Sequence, residues 1–197
     1  MNRIGFDNSQ YVKLQSQNIR DRISKFGGKL YLEAHYQDSD GQPRISQFCI
    51  DADGTFLWEY PLNDPTTLVK GKYENEYGGI NLLVQTSPES DEWKLELIIL
   101  DANGKEVDRS LLEGINPTMP IYFVEQDKTD AFRIWGSNDG KIISALFDVH
   151  GQKLEESSAD VYGMGTCVRY INNQIYVCIT DMEKEHFELI PLTNLLP

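Results

Sequence analysis

Three times in this chain an apolar run ends in Asp-x-x-Gly and a second extended run follows at once. The copies are Ile50-Asp51-Ala52-Asp53-Gly54-Thr55-Phe56, Leu100-Asp101-Ala102-Asn103-Gly104-Lys105-Glu106 and Phe147-Asp148-Val149-His150-Gly151-Gln152-Lys153. An Asp side chain bonds backbone amides across a tight turn, and Gly takes the positive φ that the turn requires, so each copy predicts a β-hairpin. The aspartates stand 50 and then 47 residues apart, an interval about the length of one four-stranded repeat. Asp51, Gly54, Asp101, Gly104, Asp148 and Gly151 are therefore read as structural turn residues. Units aligned on these turns begin near Lys29, Gly79, Met119 and Gln174, and the fourth stops before reaching its Asp-x-x-Gly. The expectation is a mainly β protein of about three and a half antiparallel hairpin repeats. An open β-repeat, a small propeller-like ring and a meander sandwich all satisfy it.

One helix is expected before the repeats. In residues 8–26 the apolar Val12, Ile19, Ile23 and Phe26 form a stripe at helical spacing, Asp7, Asn8 and Ser9 offer caps, and Gly27-Gly28 would end the helix. After those glycines the period changes to two. Lys29–Gln37, Arg44–Ile50, the run holding Phe56, Trp58 and Tyr60, Ile80–Thr86, Trp93–Leu100, Ile121–Glu125, Phe132–Trp135, Ile142–Phe147, Thr166–Ile171, Gln174–Thr180 and His186–Leu192 read as strands. The organisation expected is a helical extension, residues 1–28, and a β-repeat domain, residues 29–197.

Charge follows the same division. The formal charge is −13, yet residues 1–28 hold Arg3, Lys13, Arg20, Arg22 and Lys25 against Asp7 and Asp21, leaving −16 on the rest. So acidic a domain repels nucleic acid and anionic membrane, and suits a basic protein partner. No run approaches the length of a membrane span, and the opening residues lack the apolar core of a signal peptide, so a cytoplasmic location is expected. Cys49, Cys167 and Cys178 have no zinc spacing. If Asn172-Asn173 is a two-residue turn, Cys167 falls opposite Cys178, in a hydrogen-bonded pair whose geometry suits two reduced thiols better than a disulfide.

Two stretches resemble known families. Ile50-Asp51-Ala52-Asp53-Gly54-Thr55-Phe56-Leu57-Trp58 resembles a blade of the quinoprotein-type β-propellers, in which a strand ends in an Asp-Ala turn that holds a Gly and a Trp follows. Asp51, Gly54 and Trp58 carry that match; the other two copies lack the Trp, so the resemblance implies propeller-like blades and no quinone cofactor. Ile4-Gly5-Phe6-Asp7-Asn8, Tyr11, Gln15, Ile19, Arg22-Ile23 and Lys29-Leu30-Tyr31-Leu32-Glu33 resemble the opening of a family of large uncharacterised bacterial cytosolic proteins. Those proteins continue into Phe-Gly-Gly-Lys and a longer α/β body, whereas this chain departs at Ala34-His35-Tyr36. The resemblance therefore transfers no activity.

Constellations that could carry chemistry are few. His35, His150 and His186 lie far apart in sequence with no local nucleophile or orienting carboxylate, and are expected at solvent edges. Asp38/Asp40-Gly41 and Asp51/Asp53-Gly54 lack the third carboxylate and the bidentate Glu of a calcium loop, so no metal is expected there. Trp58, Trp93 and Trp135 sit in apolar alternation and are expected in the core. No cofactor motif occurs. The function expected is a non-catalytic, acidic protein-interaction module, with an inhibitor or immunity protein for a basic partner as one concrete form. The alternatives are a carbohydrate-active or other hydrolytic β-repeat enzyme, or part of a larger propeller.

Overall fold

A computed structural model of the chain describes residues 23–62, 64, 66–87, 93–126, 131–160, 164–171, 174–181 and 186–191. Among them the regular structure is all strand, in antiparallel sheets. The strands are β1 (Ile23–Phe26), β2 (Lys29–Gln37), β3 (Pro43–Ile50), β4 (Phe56–Leu62), β5 (Leu68–Glu74), β6 (Ile80–Thr86), β7 (Lys94–Leu100) and β8 (Glu106–Leu111). They continue as β9 (Ile121–Gln126), β10 (Phe132–Asn138), β11 (Lys141–Phe147), β12 (Lys153–Asp160), β13 (Met164–Ile171), β14 (Gln174–Asp181) and β15 (His186–Pro191). Each sheet takes its strands in chain order: β1-β2-β3-β4, β5-β6-β7-β8, β9-β10-β11-β12 and the three-stranded β13-β14-β15. The three Asp-x-x-Gly turns join the third strand of a sheet to its fourth, at β3–β4, β7–β8 and β11–β12. The sequence repeat is thus one sheet, but three of the expected unit starts, Lys29, Gly79 and Gln174, fall at the second strand: β1 and β5 were not anticipated, and the last expected unit begins at β14 although β13 precedes it in its sheet.

The expected helix meets a correction. Residues 8–22 lie outside the described residues, but Ile23–Phe26 is the strand β1, paired with β2 from Ile23↔Leu32 to Phe26↔Lys29. Gly27 and Gly28 have φ of 51° and 80°, the two positive values of a tight hairpin turn, so this pair folds the chain back where a helix stop was expected. The Asn172-Asn173 turn itself lies outside the described residues, but the strands on either side pair as its spacing predicts, Ile171↔Gln174 and Cys167↔Cys178.

The turn geometry explains the period. In each copy the Asp amide donates to the carbonyl of the fifth residue and the Gly amide donates back to the Asp carbonyl, at 2.8–3.1 Å. Gly54, Gly104 and Gly151 have φ of 90°, 77° and 78°. The same loop recurs at Asp38–Gln42, where Asp38-Ser39-Asp40-Gly41 is itself an Asp-x-x-Gly turn, and at Asn75–Gly79, where asparagine takes the place of the aspartate. Side-chain acceptors complete it: Asp101 Oδ1 takes the Asn103 and Lys105 amides at 2.8 and 2.9 Å, and Asp148 Oδ1 takes those of His150 and Gln152, both at 2.9 Å. Asp51 is the exception, since its Oδ1 reaches only Ala52 N and Asp53 supplies the bond to Thr55 N.

The chain divides into two compact units, residues 1–93 with 98–109, and residues 94–97 with 110–197. In the first, one face of β2–β4 (Tyr31, Ile45, Cys49, Trp58, Leu62) packs on Ile80, Leu82 and Val84 of β6 and Ile98 and Leu100 of β7. Trp58 is the hinge of this core. Its ring stands 5.8 Å from that of Tyr31, its indole Nε1 donates to Ala102 O at 3.1 Å, and it lies against Gly104. The Trp of the blade-like motif thus seats the next repeat's turn. In the second unit Phe132, Ile134, Ala145 and Phe147 are fully buried, with the Phe132 and Phe147 rings stacked at 5.6 Å.

Gly41 and Gly104 have nearly equal φ, 75° and 77°, but a β-carbon at Gly41 meets open space while one at Gly104 meets the Trp58 ring. Gly41→Ala should cost about 1 kcal/mol, from backbone strain alone. Gly104→Ala should cost about 2–4 kcal/mol in urea denaturation, because the Trp58 ring must also move. Equal costs would show that Trp58 is not seated on this turn.

Candidate functional site

Four hairpin turns meet at one end of the first unit: Gly27-Gly28, Asp51–Thr55, Asn75–Gly79 and Asp101–Lys105. Side chains tie them together. Lys29 Nζ donates to Gly78 O at 3.3 Å, Asn75 Nδ2 donates to Leu100 O at 2.9 Å and to Asn81 Oδ1 at 2.8 Å, and Trp58 holds the Asp101 turn. With the backbone committed to these bonds, side chains between the anchors project outward. Asp51, Asp53, Glu74 and Glu76 are exposed, and Tyr77 at 50% exposure is among the most exposed large side chains described. Bonds from the Thr55 hydroxyl and amide hold the Asp53 carboxyl below the ordinary carboxylate range. Among the described side chains Lys29 and the exposed Lys105 are the cations beside these loops, so the surface is acidic and carries the exposed Tyr77.

A second polar group crosses the core-facing side of the first sheet. Glu33, Gln47 and Tyr60 are successive cross-strand partners on β2, β3 and β4. Glu33 is 9% exposed and Gln47 fully buried. His35 Nε2 lies 2.7 Å from Glu33 Oε1. This corrects the expectation that no carboxylate serves His35: residues two apart on a strand share a face, which sets Glu33 beside it. At the far end, Tyr60 OH donates to the Glu106 carboxylate, which also takes Arg109 Nε at 3.0 Å and Nη2 at 3.1 Å. Arg109 Nη2 donates to Tyr60 OH as well, at 2.9 Å. Burial, reinforced by the bond to Glu106, pushes the Tyr60 phenol up to about 12, while Arg109 holds Glu106 below the usual carboxylate range.

These groups do not assemble a catalytic couple. Ser46 is a buried hydroxyl that donates to Glu59 Oε1 at 2.7 Å, beside Tyr36 OH at 2.8 Å from the same oxygen. Ser46 pairs across β2 with Ala34, so it faces the side of the sheet opposite to His35. The carboxylates that shift, Asp38, Asp53 and Glu106, all shift downward, whereas a general acid needs the reverse. His150 is exposed in its turn. The three tryptophans part company: Trp58 is core, Trp135 is half-buried under the Arg133 guanidinium at 5.8 Å, and Trp93 is 39% exposed, contrary to the core position expected. Trp93 precedes β7 and so escapes the alternation that its neighbours obey. Cys49 is fully buried, and burial pushes its thiol up, which suits a packed, unreactive side chain.

The comparisons with known proteins bear on different parts of the chain. The family described as "Domain of unknown function DUF1846, N-terminal" matches residues 4–38. UPF0371 protein DIP2346 of Corynebacterium diphtheriae is 58% identical over 33 residues, which are 17% of this chain and 7% of that protein. The opening of the chain is therefore similar to this family's N-terminal segment, as the residues before Ala34 suggested. Its last part, residues 23–37, supplies β1 and β2, and β2 pairs along its whole length with β3, which lies beyond the match. Among solved structures, a protein of unknown function from Bacteroides caccae is 15% identical, covering 80% of this chain and 56% of its own, with a TM-score of 0.43. The endo-arabinase of Bacteroides thetaiotaomicron is 16% identical, covering 86% and 72%, with a TM-score of 0.48.

Two substitutions test the polar row. Gln47 Oε1 is buried with no hydrogen-bond partner among the described residues. Gln47→Met should therefore change stability by less than about 1.5 kcal/mol, whereas Gln47→Glu, which sets a second buried carboxylate opposite Glu33, should cost about 3 kcal/mol or more. Among the described residues Gln47 Nε2 donates only to Phe48 O, at 3.1 Å, so a large loss in the Met variant would mean that the amide is bonded by more than that one donation. For Glu106 the folded-state value lies below the unfolded one, so its stabilisation is present above the ordinary carboxylate range and is lost as pH falls through the folded value. Glu106→Gln should be less stable at neutral pH and should lose less on acidification below about pH 5. Parallel acid-unfolding profiles of the two proteins would contradict the Arg109–Glu106 assignment.

Proposed function

We propose that this chain is a non-catalytic protein-interaction module whose acidic turn end, centred on Tyr77, binds a basic protein partner. The observation that carries the reading is the set of exposed carboxylates, Asp51, Asp53, Glu74 and Glu76, on loops whose backbones are already fixed by internal bonds. Such a surface is preorganised, so little entropy is lost on binding. A tyrosine amid charges is a common anchor at interfaces, supplying contact area with a polar tip. The cations nearby do not offset the acidity. Lys29, which donates to Gly78 O at the surface, and the exposed Lys105 are outnumbered by the four carboxylates, and elsewhere Arg44 and Arg109 are paired with Asp38 and Glu106.

The concrete form proposed is a cytoplasmic inhibitor or immunity protein that covers a cationic surface of its target. Four successive meander sheets, with the repeated turn in the same place in the first three, suit the blades of a small propeller-like scaffold that displays such loops. The hydrolytic alternative gains nothing from the shifts of Asp38, Asp53 and Glu106, which run downward, away from a general acid.

The test uses a cationic probe protein, lysozyme, against the whole chain. The expected result is saturable binding whose on-rate falls at least about tenfold between 50 and 300 mM salt. It should be lost in the combined Asp51→Asn, Asp53→Asn and Glu76→Gln variant, in which both Asn replacements keep the turn acceptors. Binding that is indifferent to salt, or unchanged in this variant, would overturn the reading.

A further inference from the structure

The second repeated turn differs from the first in one side-chain group. Asp51-Ala52-Asp53-Gly54 becomes Asp101-Ala102-Asn103-Gly104, so an amide stands where the first turn has a carboxylate. No other asparagine in the chain is followed by glycine. A glycine at that place leaves the next backbone nitrogen unshielded by a β-carbon. That nitrogen is the nucleophile when an asparagine side chain closes on the main chain.

The structure also sets Asn103 apart. Among the described residues, Asn75, Asn81, Asn116 and Asn138 all have side chains engaged in hydrogen bonds. Asn103 is exposed, and its side chain makes no hydrogen bond to the described residues. The turn does not need it, since Asp101 Oδ1 already takes the Asn103 and Lys105 amides, at 2.8 and 2.9 Å. One bond restrains the reaction. Gly104 N donates to Asp101 O at 3.0 Å, so the nucleophile is engaged while the loop is closed.

We propose that Asn103 is a site of spontaneous deamidation, gated by the opening of its own loop, whose aspartyl product adds a carboxylate to the acidic turn end. In the open loop hydroxide removes the Gly104 amide proton, and the nitrogen bonds to Asn103 Cγ. The Cγ–Nδ2 bond breaks, and ammonia leaves with a proton taken from water. Water then opens the cyclic imide by breaking one of its two bonds to the Gly104 nitrogen. Breaking the bond to Cγ leaves an aspartate. Breaking the bond to the main-chain carbonyl carbon leaves an isoaspartate, with Cγ now in the main chain. In sum, the amide and water give a carboxylate and ammonium.

The first turn shows that the aspartyl product fits. Asp53, third in its loop, takes the Thr55 amide at 2.8 Å, while Asp51 Oδ1 takes that of Ala52. The isoaspartyl product lengthens the loop by one backbone carbon, at a place where Gly104 lies against the Trp58 ring. One more carboxylate on the end that carries Asp51, Asp53, Glu74 and Glu76 strengthens the attraction for a basic partner, a consequence that rests on the reading proposed above.

Peptide mass mapping of the whole chain, incubated at mildly alkaline pH with no partner present, tests this. Its failure is therefore distinguishable from failure of the proposed partner binding. Asn103 should be converted in the folded chain, faster as pH rises, and at least about tenfold more slowly than in the urea-unfolded chain. Asp101→Ala, which removes the acceptor that holds the loop, should convert Asn103 at least about tenfold faster than Asp101→Asn, which keeps one. Asn103→Gln should abolish conversion at this position, because its longer side chain must close a larger ring. Asn103→Asp should keep the wild-type urea midpoint, whereas the isoaspartyl fraction should unfold at lower urea. Asn103 left intact in the folded chain, conversion as fast folded as unfolded, equal rates in the two Asp101 variants, or an Asn103→Asp protein as unstable as the isoaspartyl fraction would each overturn the proposal.

Discussion

The constraint on which this fold rests is a five-residue loop in which one side-chain oxygen at the first position gathers backbone amides and the fourth residue takes a positive φ. The loop occurs at Asp38, Asp51, Asn75, Asp101 and Asp148. Asn75 makes the role plain: its Oδ1 takes the Tyr77 and Gly79 amides at 3.0 and 3.1 Å, as the carboxylates do elsewhere. What the loop needs is an acceptor, not a charge. The aspartates are consumed in holding hairpin registers, and the turns fix where each sheet's strands begin and end. Because the loop is closed by local bonds, its geometry is set within the turn, and each hairpin's local preference agrees with the fold that the core requires.

How far the sequence reveals this depends on where the signal lies. The repeated turns, the bounds of β2 and β6 and the opposition of Cys167 to Cys178 were legible, because turn chemistry and strict alternation are local. β1 and β5 were not. β5 reads Leu-Val-Lys-Gly-Lys-Tyr-Glu, whose glycine and paired lysines mask its alternation, and its Val69/Gly71 bulge breaks the period. In β1, Ile23 and Phe26 satisfy a helical spacing when read with Ile19, and only the positive φ of both following glycines shows that the chain doubles back. The Asn75 loop is hidden because asparagine, not aspartate, supplies its acceptor.

The candidate site was legible in its charge and not in its geometry. Net acidity predicted a surface for a basic partner, but the place where carboxylates gather depends on four turns meeting at one end of the first unit. That meeting follows from Trp58 reaching Ala102 O, Asn75 reaching Leu100 O and Lys29 reaching Gly78 O, contacts between residues 25 to 49 apart. The Glu33–His35 contact was missed for the opposite reason, being too close: a two-residue spacing is invisible to motifs but obligatory on a strand. The opening segment has its own lesson. Residues 4–38 match a family whose members are far longer, yet Tyr31, from that segment, is 1% exposed in the core beside Cys49 and Trp58. Whatever its origin, the segment is built into this fold.

Amide hydrogen exchange followed by NMR tests the central claim most directly, at the residues that close the five loops: Gln42, Thr55, Gly79, Lys105 and Gln152. Each of their amides donates to a side-chain oxygen, at the first loop position or, for Thr55, at Asp53. The account predicts slow exchange at all five although they lie in surface turns, and loss of protection at Lys105 alone in Asp101→Ala but not in Asp101→Asn. Exchange at those five amides as fast as in an unstructured peptide, in a chain whose strand amides are protected, would contradict it.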